Sequence, residues 1–89
     1  MTERLPFSDE GEIRTFSREV ESHELKWHRD EENRIVTPIG YNDWMFQRDN
    51  CLPRPIDSEI SIPRGEWHRI IKGTTDLKIR VQKESNGQG

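Results

Sequence analysis

The sequence contains no alanine and a single cysteine, Cys51, among 89 residues. One cysteine excludes an intramolecular disulfide, so a fold this small must be held by packing, by a bound metal or by a second subunit. Hydrophobic residues are also scarce, at 29% of the chain against 35% charged residues. Any core must therefore be built from large side chains such as isoleucine and tryptophan, because these bury the most area per residue.

Long hydrophobic runs are missing as well. No stretch approaches the roughly 20 apolar residues that cross a bilayer, and the first residues, MTERLPFSDEGE, lack the apolar segment of a secretory signal. Together with the lone cysteine, this favours a cytoplasmic location and no membrane partner. The net charge of −3, with arginines scattered among acids, argues against a nucleic-acid partner bound through bulk electrostatics.

The hydrophobic residues that are present mostly alternate with polar ones. The clearest example is DLKIRVQ at 76–82, in which Leu77, Ile79 and Val81 share one face of a strand. Similar alternation covers three shorter runs, 24–28, 44–47 and 59–62. Turn-forming residues separate these runs at intervals of about 8–12 residues, which is typical of an all-β sandwich or barrel.

This pattern predicts a single folded domain with a tail at each end. An all-β domain is expected over residues 12–82. It is preceded by an N-terminal tail, residues 1–11, and followed by a disordered C-terminal tail, residues 83–89, whose composition is polar and rich in glycine.

Two short segments combine metal-binding side chains with strand-like alternation. In Trp27-His28-Arg29-Asp30, the second and fourth residues are two positions apart and project from the same strand face. In the second segment, IPRGEWHR, a Pro-x-Gly turn precedes His68. If these strands are neighbours, His28, Asp30 and His68 form a two-histidine, one-carboxylate set. Such a set leaves coordination positions open and suits a divalent transition metal, with Fe(II) favoured and Zn, Ni or Mn as alternatives.

PRGEWH resembles the second conserved motif of the cupins, Pro-x-Gly-x-x-His, with Pro63, Gly65 and His68 at the matching positions. HRD lies where the first cupin motif has His-x-His. His-x-Asp followed by a distant histidine also resembles the ligand set of the iron- and 2-oxoglutarate-dependent oxygenases. The resemblance implies a small double-stranded β-helix barrel that binds one metal. The cupin glutamate position falls on Arg34, which departs from the pattern at the fourth ligand.

Three further residues are candidates for substrate binding. Arg34 can pair with a carboxylate through its planar guanidinium. Lys78 lies ten residues after His68, where the oxygenases have the basic residue that binds the far carboxylate of their cosubstrate. Gln47 is a candidate for a further contact at the site. These residues predict a metal-dependent oxygenase or isomerase acting on a small carboxylate or sugar; the alternative is a non-catalytic β-barrel that binds a small molecule or a protein.

Four apolar residues are expected to point away from the site: Leu25, Trp27, Trp67 and Ile71. A single small barrel has no second layer to cover them unless a terminal segment or another subunit supplies one. The first 20 residues could cover part of this surface, as an added or swapped strand, through five apolar residues: Leu5, Phe7, Ile13, Phe16 and Val20. Large uncovered apolar patches usually mark interfaces. A homodimer is therefore predicted, since closed two-fold dimers are the commonest assembly. The alternative is a monomer in which arginine side chains lie over the tryptophan rings.

Overall fold

The computed structural model describes residues 5–84, and within them it contains eight β-strands, one 3-10 helix and no α-helix. The strands are β1 (Ser8–Glu10), β2 (Ile13–Phe16), β3 (Asn33–Pro38), β4 (Met45–Arg48), β5 (Arg54–Pro55), β6 (Ile60–Ile62), β7 (His68–Ile71) and β8 (Leu77–Glu84), and the 3-10 helix is Ser22–Glu24. The predicted all-β fold is confirmed. No helix in this part of the chain has the length and apolar content required to cross a membrane.

The strands form two antiparallel sheets. The larger has the order β1-β2-β8-β3-β6, and the smaller has the order β5-β4-β7. The two sheets do not close into one barrel. Two of the four edge strands, β5 and β6, have only two and three residues. Pro55 in β5 and Pro63, directly after β6, lack the amide hydrogens that further pairing would need.

The core lies between the two sheets and follows the alternation in the sequence. On β8, Leu77, Ile79 and Val81 are buried, and the residues between them are exposed. In the smaller sheet, Trp44 and Phe46 belong to the same buried cluster. These strand faces were predicted correctly, because side chains two residues apart in a strand share a face.

The chain around residues 24–28 is not the strand that its alternation predicts. A 3-10 helix ends at Glu24, and a single isolated bridge at His28 is the strand-like pairing in this segment. The Lys26 carbonyl accepts a hydrogen bond from the His28 ring, so it is engaged locally rather than in a ladder. Leu25 packs against the core and does not point outward as expected.

The strands extend into both segments that the sequence assigns to tails. β1 lies within residues 1–11, and β8 ends at Glu84, two residues into the segment 83–89. The remainder of the predicted C-terminal tail, 85–89, and residues 1–4 lie outside the described residues.

Asp43 holds the loop between β7 and β8. Its carboxylate accepts hydrogen bonds from the amides of Thr74 and Thr75 at 2.8 and 3.2 Å and from the Thr74 hydroxyl at 2.6 Å. These bonds, the Thr74 hydroxyl first, lower the pKa of Asp43 to about 2. Gly73 packs against the same residue: a Cβ at this position would lie 2.7 Å from the backbone carbonyl atoms of Asp43.

Candidate metal centre

His28 and His68 face each other across an antiparallel bridge. The amide of each donates a hydrogen bond to the carbonyl of the other, at 3.0 and 2.9 Å. Two residues that exchange both bonds are directly opposite, and their side chains lie on the same face of the sheet. The ring centroids are accordingly 4.4 Å apart, in an edge-to-face arrangement.

The turn before β7 fixes the position of Asp30 relative to the two histidines. Glu66 donates its amide to the Pro63 carbonyl at 3.2 Å, and Gly65 has a φ of 82°, which favours glycine in the third position of a tight turn. The amide of Gly65 donates to the carbonyl of Asp30 at 2.9 Å. The glycine of the Pro-x-Gly motif therefore binds the backbone of the candidate carboxylate ligand.

Backbone carbonyls orient both imidazole rings in the same way. Nδ1 of His28 lies 3.0 Å from the Lys26 carbonyl, and Nδ1 of His68 lies 2.8 Å from the Glu66 carbonyl. Because a carbonyl oxygen only accepts, Nδ1 carries the hydrogen in each ring. In the neutral form each Nε2 is then a free lone pair, which is the state of a histidine that binds a metal.

The three predicted ligands come together around the Asp30 carboxylate. One Oδ is 3.9 Å from Nε2 of His28, and the other, Oδ2, is 3.4 Å from Nε2 of His68. One ligand atom from each residue lies within 4.8 Å of the others, closer than the roughly 6 Å that would exclude a shared metal with bonds near 2.0–2.2 Å. Three lone-pair atoms converge on one point, as a cation site requires.

Asp30 is the member of this group with a buried side-chain oxygen that lacks a hydrogen-bond partner. Its side chain is 8% exposed, and Oδ2 is buried without a hydrogen-bond partner. Buried polar atoms normally have such a partner, and leaving one unpaired costs about 1–3 kcal/mol. A cation bound between Oδ2 and the two Nε2 atoms would provide the missing interaction.

Burial keeps His68 in the form that such a site needs. Its side chain is 5% exposed, and it packs against the ring of Phe46 at a centroid distance of 5.7 Å. Desolvation lowers the pKa of His68 below its usual value, and the neighbouring His28 ring acts in the same direction, against the raising effects of the Glu66 carbonyl and Asp30. The neutral imidazole is therefore favoured.

Charged neighbours of the three ligands are largely paired with each other. Arg34 binds Glu32 through Nε and Nη2, both at 2.8 Å, and its Nη1 lies 3.5 Å from Oδ1 of Asp30. Glu66 pairs with Arg48. Glu32 and Glu66 are thus engaged by arginines, which leaves Asp30 as the carboxylate that faces the histidines.

A cavity of about 250 Å³ lies between the two sheets next to this group. His28, Asp30, His68 and Arg34 line its polar end. Most of the remaining wall is apolar and comes from both sheets, including Phe16, Phe46, Ile60, Leu77, Ile79 and Val81. The three ligands therefore border a chamber in which a molecule with an apolar body can reach the polar group.

The candidate substrate-binding residues are distributed differently. Arg34 lines the cavity. Lys78 is exposed and lies between buried residues of β8, on the face directed away from the core. Gln47 accepts a hydrogen bond from Arg69 and donates one to the Cys51 carbonyl, outside the cavity lining. The structure brings Arg34 to the three ligands and places Lys78 and Gln47 elsewhere.

Sequence reasoning missed the part of the cavity formed by residues 5–16. Phe7 and Arg14 line it, the Arg14 guanidinium lies 3.8 Å from the Phe7 ring centroid, and Arg14 binds Asp9 through two nitrogens at 2.8 and 3.0 Å. The available signal was Gly11, since a glycine between two short polar-apolar segments is typical of a hairpin loop.

No protein-family model matches this chain, and no curated protein or solved structure shows significant similarity to it.

Proposed function

We propose that this protein is a small cupin-like metalloprotein that binds one divalent transition metal through His28, Asp30 and His68. The observation that carries the proposal is the convergence of two Nε2 lone pairs on a buried carboxylate whose Oδ2 has no hydrogen-bond partner. The two open sheets represent a reduced form of the double-stranded β-helix. Two histidines and one carboxylate leave coordination positions open, and Fe(II) is the favoured metal, with Zn, Ni and Mn as alternatives.

A metal held at this position would supply a Lewis acid or an O₂-binding site. The protein contributes the surroundings. The carbonyls of Lys26 and Glu66 fix the orientation of both rings, and the apolar cavity wall borders one side of the centre. This arrangement supports a metal-dependent oxygenase or isomerase acting on a small molecule.

A second candidate is a non-catalytic protein that binds a small molecule at the same centre. The observation favouring it is the exposure of His28, whose side chain is 54% accessible, because an enzyme that activates O₂ encloses its metal. Oxygen uptake by Fe(II)-loaded protein distinguishes the candidates. Uptake that depends on a bound organic ligand supports the enzyme, and its absence supports the carrier.

The metal proposal is tested by the effect of metal on thermal stability. A ligand present at a hundredfold excess over its Kd stabilises the native state by about 2.7 kcal/mol, which raises the Tm of a domain this size by about 10 °C or more. We expect this gain for Zn(II) or Co(II) and its reversal by a chelator. His28→Ala should abolish the gain, and His23→Ala, an exposed histidine in the 3-10 helix, should retain it. Equal gains in both variants would refute the proposed site.

We also propose that the protein is a homodimer, formed through the face behind the metal centre. Trp27 and Trp67 are 39% and 42% exposed. Arg69 lies over the Trp27 ring and Arg29 over the Trp67 ring, with cation–ring distances of 4.9 and 5.3 Å, which is the arrangement expected of the alternative, a monomer. The arginines cover the rings only in part, and the area left exposed is what supports a dimer. A two-fold dimer formed through this face would cover the parts of both rings that the arginines leave exposed.

A further inference from the structure

The cavity beside the candidate metal centre has two chemically different ends. Its deepest wall is formed by residues such as Leu77 and Ile60, which are 0% and 1% exposed. Its outer end carries the three candidate ligands and Arg34. From this division we infer that the cavity binds an apolar monocarboxylate, an aliphatic or aromatic acid whose tail occupies the space between the sheets. This inference rests on the proposed metal site.

The charges at the outer end of the cavity favour a ligand with one negative group. Two pairs of opposite charge at this end, Glu24 with Lys26 and Glu32 with Arg34, cancel. A divalent cation bound by Asp30 and two neutral histidines then leaves a net charge of about +1, and one ligand carboxylate would neutralise it. Arg34 supplies a second contact. Its Nε and Nη2 are bound to Glu32 at 2.8 Å, whereas its Nη1 is 3.5 Å from Asp30, too far for a good hydrogen bond. Nη1 can therefore donate to a ligand oxygen beside the metal.

The apolar wall restricts the remainder of the ligand. A sugar has a hydroxyl on nearly every carbon, and these hydroxyls would be buried without partners against Phe16, Phe46 and Leu77. A dicarboxylate would bury its second charge in the same place. The other cationic residues of the lining are Arg14, which is already bound by two nitrogens to Asp9, and Lys26, which is exposed and next to His28 at the metal end rather than among the apolar wall residues. The basic residue that would hold the far carboxylate of a 2-oxo diacid, Lys78, lies on the opposite face of β8.

The volume of the cavity sets the size of the tail. A cavity of roughly 150 Å³ holds benzene, so 250 Å³ has room for a phenyl ring with a short linker or an aliphatic chain of roughly eight carbons. Octanoate and 3-phenylpropanoate are suitable probes of the two tail types.

The experiment is calorimetric titration of acids into the protein, preceded by a titration of Zn(II) alone. Zinc is used because it does not consume the ligand by redox chemistry. Octanoate should bind the zinc-loaded protein about fifteenfold more tightly than hexanoate, since each buried methylene contributes about fourfold. Both octanoate and 3-phenylpropanoate should bind at least tenfold more tightly than octan-1-ol or glutarate.

Two variants locate the head and tail of the ligand. Arg34→Gln should weaken octanoate binding about tenfold while Zn(II) still binds, and Arg54→Gln, outside the cavity lining, serves as the matched control. Val81→Leu places an extra methylene in the cavity and should weaken octanoate more than hexanoate. If that variant does not fold, the comparison of octanoate with hexanoate in the unmodified protein tests whether the cavity binds the tail.

The outcomes separate the inference from the metal proposal. A protein that binds no Zn(II) refutes the proposed function, and this inference with it. A protein that binds Zn(II) but neither octanoate nor 3-phenylpropanoate refutes the inference alone, as does glutarate binding as tightly as octanoate.

Discussion

The backbones of His28 and His68 bind each other independently of their side chains. Each amide donates to the other residue's carbonyl, at 3.0 and 2.9 Å, so the two Cβ atoms are held on one face of the sheet whatever side chains they carry. The spacing of the two imidazoles is consequently a property of the fold. Substitution of the exposed His28 should remove a ligand while leaving the bridge in place.

Replacing Asp30 should have opposite effects on the metal-free and metal-bound forms. In Asp30→Asn the new amide can donate to Nε2 of His68, which removes the unpaired buried oxygen. We expect the metal-free protein to become more stable by about 1 kcal/mol and Zn(II) affinity to fall by at least about 100-fold. Urea unfolding with chelator and zinc titration measure the two effects. Asp57→Asn, at an exposed position, is the control. A destabilised metal-free variant would show that Asp30 is a structural ion-pair residue.

Acid should abolish the contribution of Asp43 to stability. A carboxyl whose pKa is lower in the folded than in the unfolded state stabilises the fold above the unfolded value and loses this effect as the pH falls. The pKa of Asp43 is lowered from 3.8 to about 2. Asp43→Ala should therefore be destabilising at pH 6, and the difference from the unmodified protein should shrink between pH 4 and pH 2 in urea unfolding experiments. A difference that is constant with pH would contradict the role of the Thr74 and Thr75 hydrogen bonds.

Gly73→Ala should destabilise the fold because its methyl group has no space. The Cβ would lie 2.7 Å from backbone atoms of Asp43, and backbone cannot move aside as a side chain can. We expect a loss of about 2 kcal/mol in the free energy of unfolding, measured with urea at neutral pH. Ser61→Ala on β6, an exposed position, should change it by less than about 0.5 kcal/mol. Equal effects in the two variants would show that the loop relaxes freely.

The homodimer should be weakened by a charge on its proposed interface. Trp67→Arg would place like charges opposite each other in the two-fold arrangement, and we expect the dimer Kd to rise at least about 30-fold. Sedimentation equilibrium at micromolar concentrations measures it. Leu52→Arg changes another exposed hydrophobic residue, which is 88% accessible, and should leave the dimer intact. A sedimentation mass of one chain for the unmodified protein would rule out the dimer.

Strand faces could be predicted from the sequence because alternation is a local property. Leu77, Ile79 and Val81 are buried as their spacing indicates. The Pro-x-Gly turn before His68 is local too, and it pointed to the three candidate ligands. The order of strands depends on contacts between distant residues, which alternation does not encode. For that reason the two open sheets, the central position of β8 and the hairpin at residues 8–16 did not follow from the pattern.

The three candidate ligands could be predicted from the sequence, but the residues that surround and position them could not. Asp30 belongs to the site because of a backbone hydrogen bond from Gly65, 35 positions away, and the sequence alone left open whether the two segments are neighbours. Lys78 failed to reach the cavity because the alternation that buries Leu77 and Ile79 necessarily directs it outward. Arg34 faces the ligands because β3 pairs with β6 and β8, which is again long-range information.

The position of β8 also determines when the larger sheet can assemble during synthesis of the chain. β8 is the last strand of the described chain, yet it lies at the centre of the five-stranded sheet, between β2 and β3. Until Leu77 and the residues after it have been translated, the β1–β2 hairpin and the β3–β6 pair have no strand to join them. His28 and Asp30 are synthesised 49 and 47 residues before Leu77, and His68 nine residues before it. The sheet that forms much of the cavity wall can therefore assemble only after all three candidate ligands have been synthesised, so the cavity beside them is among the last features of the fold to form.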